Sequence, residues 1–273
     1  MKKIFPFLLS FTFLSLLFYF LPPKEIINFL GLITLKGFLL ASFFYGMSHI
    51  TRSIRWKILL KDISFFQSFF INSANVFLNN LLPARTGELS WFYYSRKLGI
   101  NLSTSLVVFL WGRLLDLFGL FILTTFFYAL EKTSLYLGFL PVFLFSISLF
   151  LHVPLRRFKG LDANFYSSLL ACVLSLISAL LKFSSLMFLV GLDPSVLLFL
   201  SFLGGELSTV LPIHSFGGFG TYELSFSLPQ KLFGESLKEP IKLALVFHAF
   251  LLLSSALYGI PSLIFLHRKT SKF

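Results

Sequence analysis

Apolar runs of about 20 residues, the length that crosses a bilayer, recur at Ile4 to Leu21, Phe29 to Ile50, Leu102 to Leu130, Leu135 to Leu151, Phe165 to Val190 and Ile241 to Leu266. They predict about six spanning helices, the fourth being the shortest. Two further stretches, Ser64 to Ser95 and Ser195 to Pro229, are also apolar but are broken by Asn, Pro, Gly and acidic residues. Such breaks survive at membrane depth only where protein or a water-filled cavity satisfies the freed backbone groups. Both stretches are read as re-entrant hairpins.

The two breaks share a pattern. Leu82 and Pro83 precede Gly87, Glu88, Leu89 and Ser90, and Leu211 and Pro212 precede Gly220, Thr221, Tyr222, Glu223, Leu224 and Ser225. Glu223 follows Glu88 by 135 residues, and the same offset carries Arg113, the only basic residue inside the third span, onto His248. Residues 29–130 and 165–266 each read as span, hairpin, span. The expectation is an all-α polytopic membrane fold, a single transmembrane domain over residues 1–273, with Ile4 to Leu21 and Leu135 to Leu151 as peripheral or connecting helices. Breaks at matching places in two halves point to a transporter's binding site. The plainer alternative is a pair of kinked helices, since Gly and Pro are common in membrane helices.

Composition agrees with a membrane protein: 56% of residues are hydrophobic and 12% charged, against roughly 25% charged in soluble domains. The net charge of +12 is sorted into alternate loops, which fits the positive-inside rule rather than a nucleic-acid partner. Fourteen of 23 basic residues fall on one side: Lys2, Lys3, Arg52, Arg55, Lys57, Lys61, Arg96, Lys97, Arg156, Arg157, Lys159, Arg268, Lys269 and Lys272. Both termini are thus expected in the cytoplasm of a plasma-membrane protein. The first hairpin starts and ends inside, the second outside, so the repeat has inverted topology. Ile4 to Leu21 is too long for a secretory h-region and lacks an A-x-A cleavage site, so it reads as a retained helix. The lone Cys172 excludes an intramolecular disulfide.

Charges at membrane depth are costly and face a cavity or one another. Lys36, Arg113, Asp116, Lys182, Glu206 and His248 stand out. Lys36 and Lys182 lie in the first span of each half. Arg113 and Asp116, spaced i, i+3, either neutralise each other or contact a ligand. His248 has no sequence-local partner and reads as a packed histidine or a proton-coupling group.

In the first hairpin Asn79 and Asn80 precede Pro83, Arg85, Gly87 and Glu88. Amides, a guanidinium fork that matches phosphate oxygens and a half-helix N-terminus make an anion site, with phosphate the expected ligand. An Arg85 to Glu88 ion pair bracing the hairpin is the structural alternative. In the second hairpin Gly217, Gly218 and Gly220 permit positive φ and close backbone approach. Neither His214 nor His248 sits in a metal-binding array, and Ser215, His214 and Glu223 lack the elbow of a hydrolase nucleophile. No metal or cofactor is expected.

Four groups of residues carry a resemblance: Arg52, Arg55, Trp56, Leu59 and Leu60; Asn80, Pro83, Arg85, Gly87 and Glu88; Arg113 with Asp116; and Gly217, Gly218, Gly220 and Glu223. In their order and spacing the chain resembles the flippase-like membrane proteins related to the transmembrane half of lysylphosphatidylglycerol synthases. The resemblance implies movement of lipids between leaflets, aminoacylated phospholipid in two-domain members and polyprenyl-phosphate-linked sugars in stand-alone ones. The 273 residues leave no room for a soluble aminoacyl-transferase domain, so a stand-alone member without lysyl-lipid synthesis is expected.

The reading is a non-enzymatic flippase for a phosphate-bearing lipid or polyprenyl-phosphate-linked sugar. Its substrate site draws on Lys36, Asn79, Asn80, Arg85, Glu88, Arg113, Asp116, Lys182, Glu206, Gly217, Gly218, Gly220, Glu223 and His248. Expected partners are membrane lipids with anionic phosphate head groups, with a second copy of the chain or a lipid-modifying enzyme as protein partners and no nucleic acid. The alternative is a membrane enzyme or scaffold in lipid or lipid-linked-sugar modification.

Overall fold

The computed structural model describes residues 31, 33–60, 62–132, 135–150, 152–157, 161, 163–210 and 216–270. The expectations for Ile4 to Leu21, for Pro212, His214 and Ser215, and for Lys2, Lys3, Lys61, Lys159 and Lys272 lie outside the described residues.

Polar residues at the ends of the apolar runs start the helices. Thr34 accepts from the Gly37 N–H at 3.0 Å and opens α1 (Leu35–Leu59). Ser64 and Gln67 form a reciprocal capping box at the head of α2 (Phe65–Leu81), satisfying two backbone donors that the first turn leaves orphaned. A 3-10 turn, Pro83–Glu88, then leads into α3 (Leu89–Lys97). Asn101 caps α4 (Leu102–Glu131). The connecting region holds α5 (Leu135–Phe150) and the single turn α6 (His152–Leu155). Asn164 caps α7 (Phe165–Val190), which ends on Gly191 at φ 66°. The second half closes with α8 (Val196–Val210), a 3-10 turn at Phe216–Gly218, α9 (Thr221–Leu232) and α10 (Lys238–Thr270).

Among the described residues four helical stretches are long and apolar enough to cross a membrane: Leu102–Glu131, Leu137–Leu155, Phe165–Val190 and Lys238–Arg268. The chain is thus a multi-pass, all-helical membrane protein. The second expected span corresponds to α1, which is long enough at 25 residues but is not among the four. It continues past Ile50 to Leu59 and takes in Arg52, Arg55 and Lys57. The assignment of that basic segment to a loop is therefore corrected: Arg55 is 1% exposed, held inside the protein by a carboxylate from a distant helix.

The packing is reciprocal. α1 runs along α7, while α2 packs on α10 and α8 packs on α4. Each half's first broken-segment helix thus rests on the other half's last helix. The two 3-10 turns also touch, and the second lies against α2. Two apolar clusters hold this arrangement. One centres on Phe199, Phe202 and Phe247; the other centres on Trp56, Trp91 and Trp111. Both draw side chains from both halves, so neither half buries its apolar surface alone. Lipid tails are as apolar as these rings, so at membrane depth close van der Waals packing of the rings and hydrogen bonds between helices, rather than transfer out of water, hold the halves together.

Candidate functional site

Around the meeting point of the two breaks lies a cavity of about 50 Å³. One water needs roughly 10–15 Å³ measured in this way, so the space suits a few waters or an anion of a few atoms. α1 contributes Arg52, α2 contributes Asn79 and Asn80, and the first break contributes Arg85. α4 adds Arg113 and α7 adds Lys182. From the second half come Thr209, Tyr222 and His248, while Val76 and Leu251 are apolar. No carboxylate lines this wall among the described residues.

The carboxylates stand one layer back, each against a basic side chain. Glu88 Oε1 lies 2.9 Å from Nη2 of Arg85 and 3.0 Å from Nη2 of Arg113. One carboxylate therefore serves two guanidiniums, leaving the trio net positive. Lys182 Nζ lies 2.8 Å from Glu206 Oε1 and donates to Oε2 at 2.9 Å. Glu223 Oε1 is 2.8 Å from His248 Nδ1. Arg52 is the exception: its Nε donates to the Ser178 hydroxyl at 3.2 Å, and no carboxylate reaches it among the described residues.

Arg55 pairs through Nη1 and Nη2 with the two carboxylate oxygens of Asp116, and Nη1 also donates to Ser175 Oγ at 2.6 Å. Of the two readings of Arg113 and Asp116, mutual neutralisation is therefore not made. Each has its partner on another element, Arg113 on the first break and Asp116 on α1. The Arg85 to Glu88 brace is made, together with the Arg113 contact. Lys36 is exposed in the first turn of α1 and is not among the cavity's lining residues, so of the two lysines expected to bring a cation from each half only Lys182 does so.

The backbone of the breaks follows from their residues. Arg85 sits at φ 56°, a left-handed conformation that costs a non-glycine residue on the order of 1 kcal/mol or more. Its ion pair and burial hold it there. Gly87 is packed so closely that a Cβ would overlap the Leu78 carbonyl group of α2. Asn75 fastens the same turn, donating to Gly87 O at 3.3 Å and accepting from Asn79 Nδ2 at 3.3 Å. Gly217, Gly218 and Gly220 adopt φ of 63°, 78° and 84°, the positive values that glycine permits. They are not on the cavity wall. They turn the chain so that the Gly220 N–H donates to Glu223 Oε2 at 2.6 Å, capping α9.

Several polar atoms at the cavity have no partner among the described residues: Asn79 Oδ1, Arg113 Nε and Tyr222 OH are buried without a hydrogen bond. Buried polar groups are rarely left unpaired, so these three atoms are open to a hydrogen bond with whatever enters the cavity. No group of three or more His, Cys, Asp or Glu residues suited to a metal comes together among the described residues. Local sequence reading missed Arg52, Thr209 and Tyr222 as cavity residues. Arg52 was visible only as part of the motif with Arg55 and Trp56, and Tyr222 only as the neighbour of Glu223. Thr209 carried no signal.

A family described as lysylphosphatidylglycerol synthase TM region matches the chain over residues 4–259. No curated protein and no solved structure matches it.

Proposed function

The chain belongs to the family of lysylphosphatidylglycerol synthase transmembrane regions, and from that premise we propose that it moves a phosphate-bearing lipid, or a polyprenyl-phosphate-linked sugar, between bilayer leaflets without chemically changing it. One observation carries this reading: the cavity wall presents Arg52, Arg85, Arg113 and Lys182 with amides and hydroxyls, while the balancing carboxylates stand behind. A phosphate entering the cavity meets donors and no acceptor of like charge. Guanidinium forks suit its oxygens in two-point contacts. Asn79, Asn80 and Tyr222 supply neutral hydrogen bonds.

The two breaks act as oppositely oriented re-entrant hairpins of an inverted-topology repeat, with both chain termini in the cytoplasm of a plasma-membrane protein. Supporting this are the reciprocal packing of α2 on α10 and α8 on α4 and the equivalence of Glu88 with Glu223. In the present state the cavity, at about 50 Å³, has room for a phosphate-sized group but not for a lipid-linked sugar, which corresponds to an occluded arrangement. Separating the hairpins on one side or the other opens it alternately, and the acyl chains remain in lipid. No nucleotide-hydrolysis motif is used.

The test is reconstitution in liposomes with labelled lipids of different head groups, measuring how fast each reaches the opposite leaflet. Arg52→Gln is the most informative variant, because Arg52 has no carboxylate to orphan. Head-group-selective acceleration that falls at least tenfold in Arg52→Gln is expected. No acceleration for any phosphate-bearing lipid overturns the reading, and a change in lipid mass replaces it with an enzymatic one.

A further inference from the structure

The two halves differ at one equivalent position in a way that bears on energy coupling. Arg113, in α4, touches Glu88 with a permanently charged guanidinium. His248, in α10, touches Glu223 with an imidazole, a base that can carry a proton or give it up. The Glu223 carboxylate is 1% exposed, and its second oxygen is engaged by the Gly220 N–H. His248 itself lines the cavity, with the Phe219 and Tyr222 rings each 4.8 Å from its own. Its second ring nitrogen has no hydrogen-bond partner among the described residues. A proton on His248 is thus backed by a fixed carboxylate on one side and borders the cavity on the other.

The groups facing His248 set what that proton responds to. Across the cavity stand Arg52 from α1, Arg85 from the first break, Arg113 from α4 and Lys182 from α7. Behind them are Glu88 and, from α8, Glu206. Tyr222 of α9 adds a hydroxyl. A further positive charge on His248 is repelled by four cations and attracted by Glu223 alone at contact distance. An anion lodged among the cations removes much of that repulsion and adds an attraction of its own, in a site where charges are weakly screened.

We infer that anion occupancy of the cavity is linked to uptake of one proton at the His248–Glu223 pair, so that the phosphate-bearing substrate travels with a proton. This rests on the translocation reading and names its coupling ion. By reciprocity, anything that makes anion binding favour the protonated pair also makes protonation favour the anion. Anion affinity then strengthens as pH falls, by up to about tenfold per pH unit for one linked proton.

Titration calorimetry on the purified full-length protein tests this, using dihexanoyl phosphatidylglycerol, a phosphodiester of fixed charge between pH 6 and 8, with sulfate as a lipid-free probe. Running each probe in buffers of different ionisation enthalpy counts the protons exchanged. The expected result is about one proton taken up per phosphodiester by the wild type and none by His248→Gln or Glu223→Gln. Glu223→Gln keeps an oxygen for the Gly220 cap, and circular dichroism checks that each variant is folded. Binding by the wild type without proton exchange overturns the coupling and leaves the anion site standing. Undiminished uptake in folded His248→Gln also overturns it. Failure of both probes to bind the wild type sinks the anion reading and the coupling with it. Equal proton uptake with sulfate assigns recognition to the anion alone, and the coupling stands.

Discussion

Glu88 Oε1 lies 3.0 Å from Nη2 of Arg113, and 135 positions further on Glu223 Oε1 lies 2.8 Å from Nδ1 of His248. A carboxylate at each break therefore grips a base on the last helix of its own half. The equivalence is one of contact and not only of sequence spacing. It places the two breaks, which also touch each other, under matching restraints.

Glu88 occupies the fork of Arg113 and also that of Arg85, so under the proposed function it is a competitor of the incoming phosphate. Glu88→Gln frees both guanidiniums for a ligand but removes what holds them in place. The expected outcome is sulfate affinity raised several-fold, with translocation slowed because the anion is released less readily. Calorimetry and a liposome flux assay measure the two quantities. Weaker anion binding in a folded Glu88→Gln protein counts against the cavity as the anion site.

Arg55 and Asp116 are a structural pair that fastens α1 to α4, with Ser175 adding α7. Their exposures of 1% and 11% put them in the regime where removing one partner costs about 3–5 kcal/mol, since a buried charge is left uncompensated. Arg55→Met and Asp116→Leu should each lower the unfolding midpoint strongly in detergent. The double variant should recover much of the loss, because an apolar pair of similar volume replaces a buried ion pair at little cost. A double-mutant cycle with no coupling would remove the pair from the stability argument.

These residues also show where sequence reading succeeds. The span Phe165 to Val190 was legible end to end, because Asn164 and Gly191 punctuate an unbroken apolar run. The second span was not, because Arg52, Arg55 and Lys57 look like a cytoplasmic loop until the carboxylate of Asp116, 61 positions away, is seen to neutralise Arg55. Arg113 and Asp116 looked like partners by their i, i+3 spacing, yet each meets a charge from another element. Local periodicity finds helices and helix breaks. It cannot choose among long-range ion-pair partners, and that choice separated the cavity residues Arg52 and Lys182 from the exposed Lys36.

Glycines at the breaks test the packing independently of charge. Gly87 is the point where the first break presses on α2, and an added Cβ would overlap the Leu78 carbonyl group. Gly138 of α5 has nothing within 4 Å of its would-be Cβ. Backbone cannot swing aside as a flexible side chain can, so Gly87→Ala must displace the turn that carries Arg85 and Glu88. It is expected to lower stability by more than about 1–3 kcal/mol, the usual range for overpacking, and to abolish anion binding. Gly138→Ala should be neutral or slightly stabilising, because alanine is the better helix former by about 1 kcal/mol. Thermal unfolding and sulfate calorimetry on the two variants separate these outcomes. A well-folded Gly87→Ala protein that still binds sulfate would show that the contact between Gly87 and α2 is not what sets the position of Arg85.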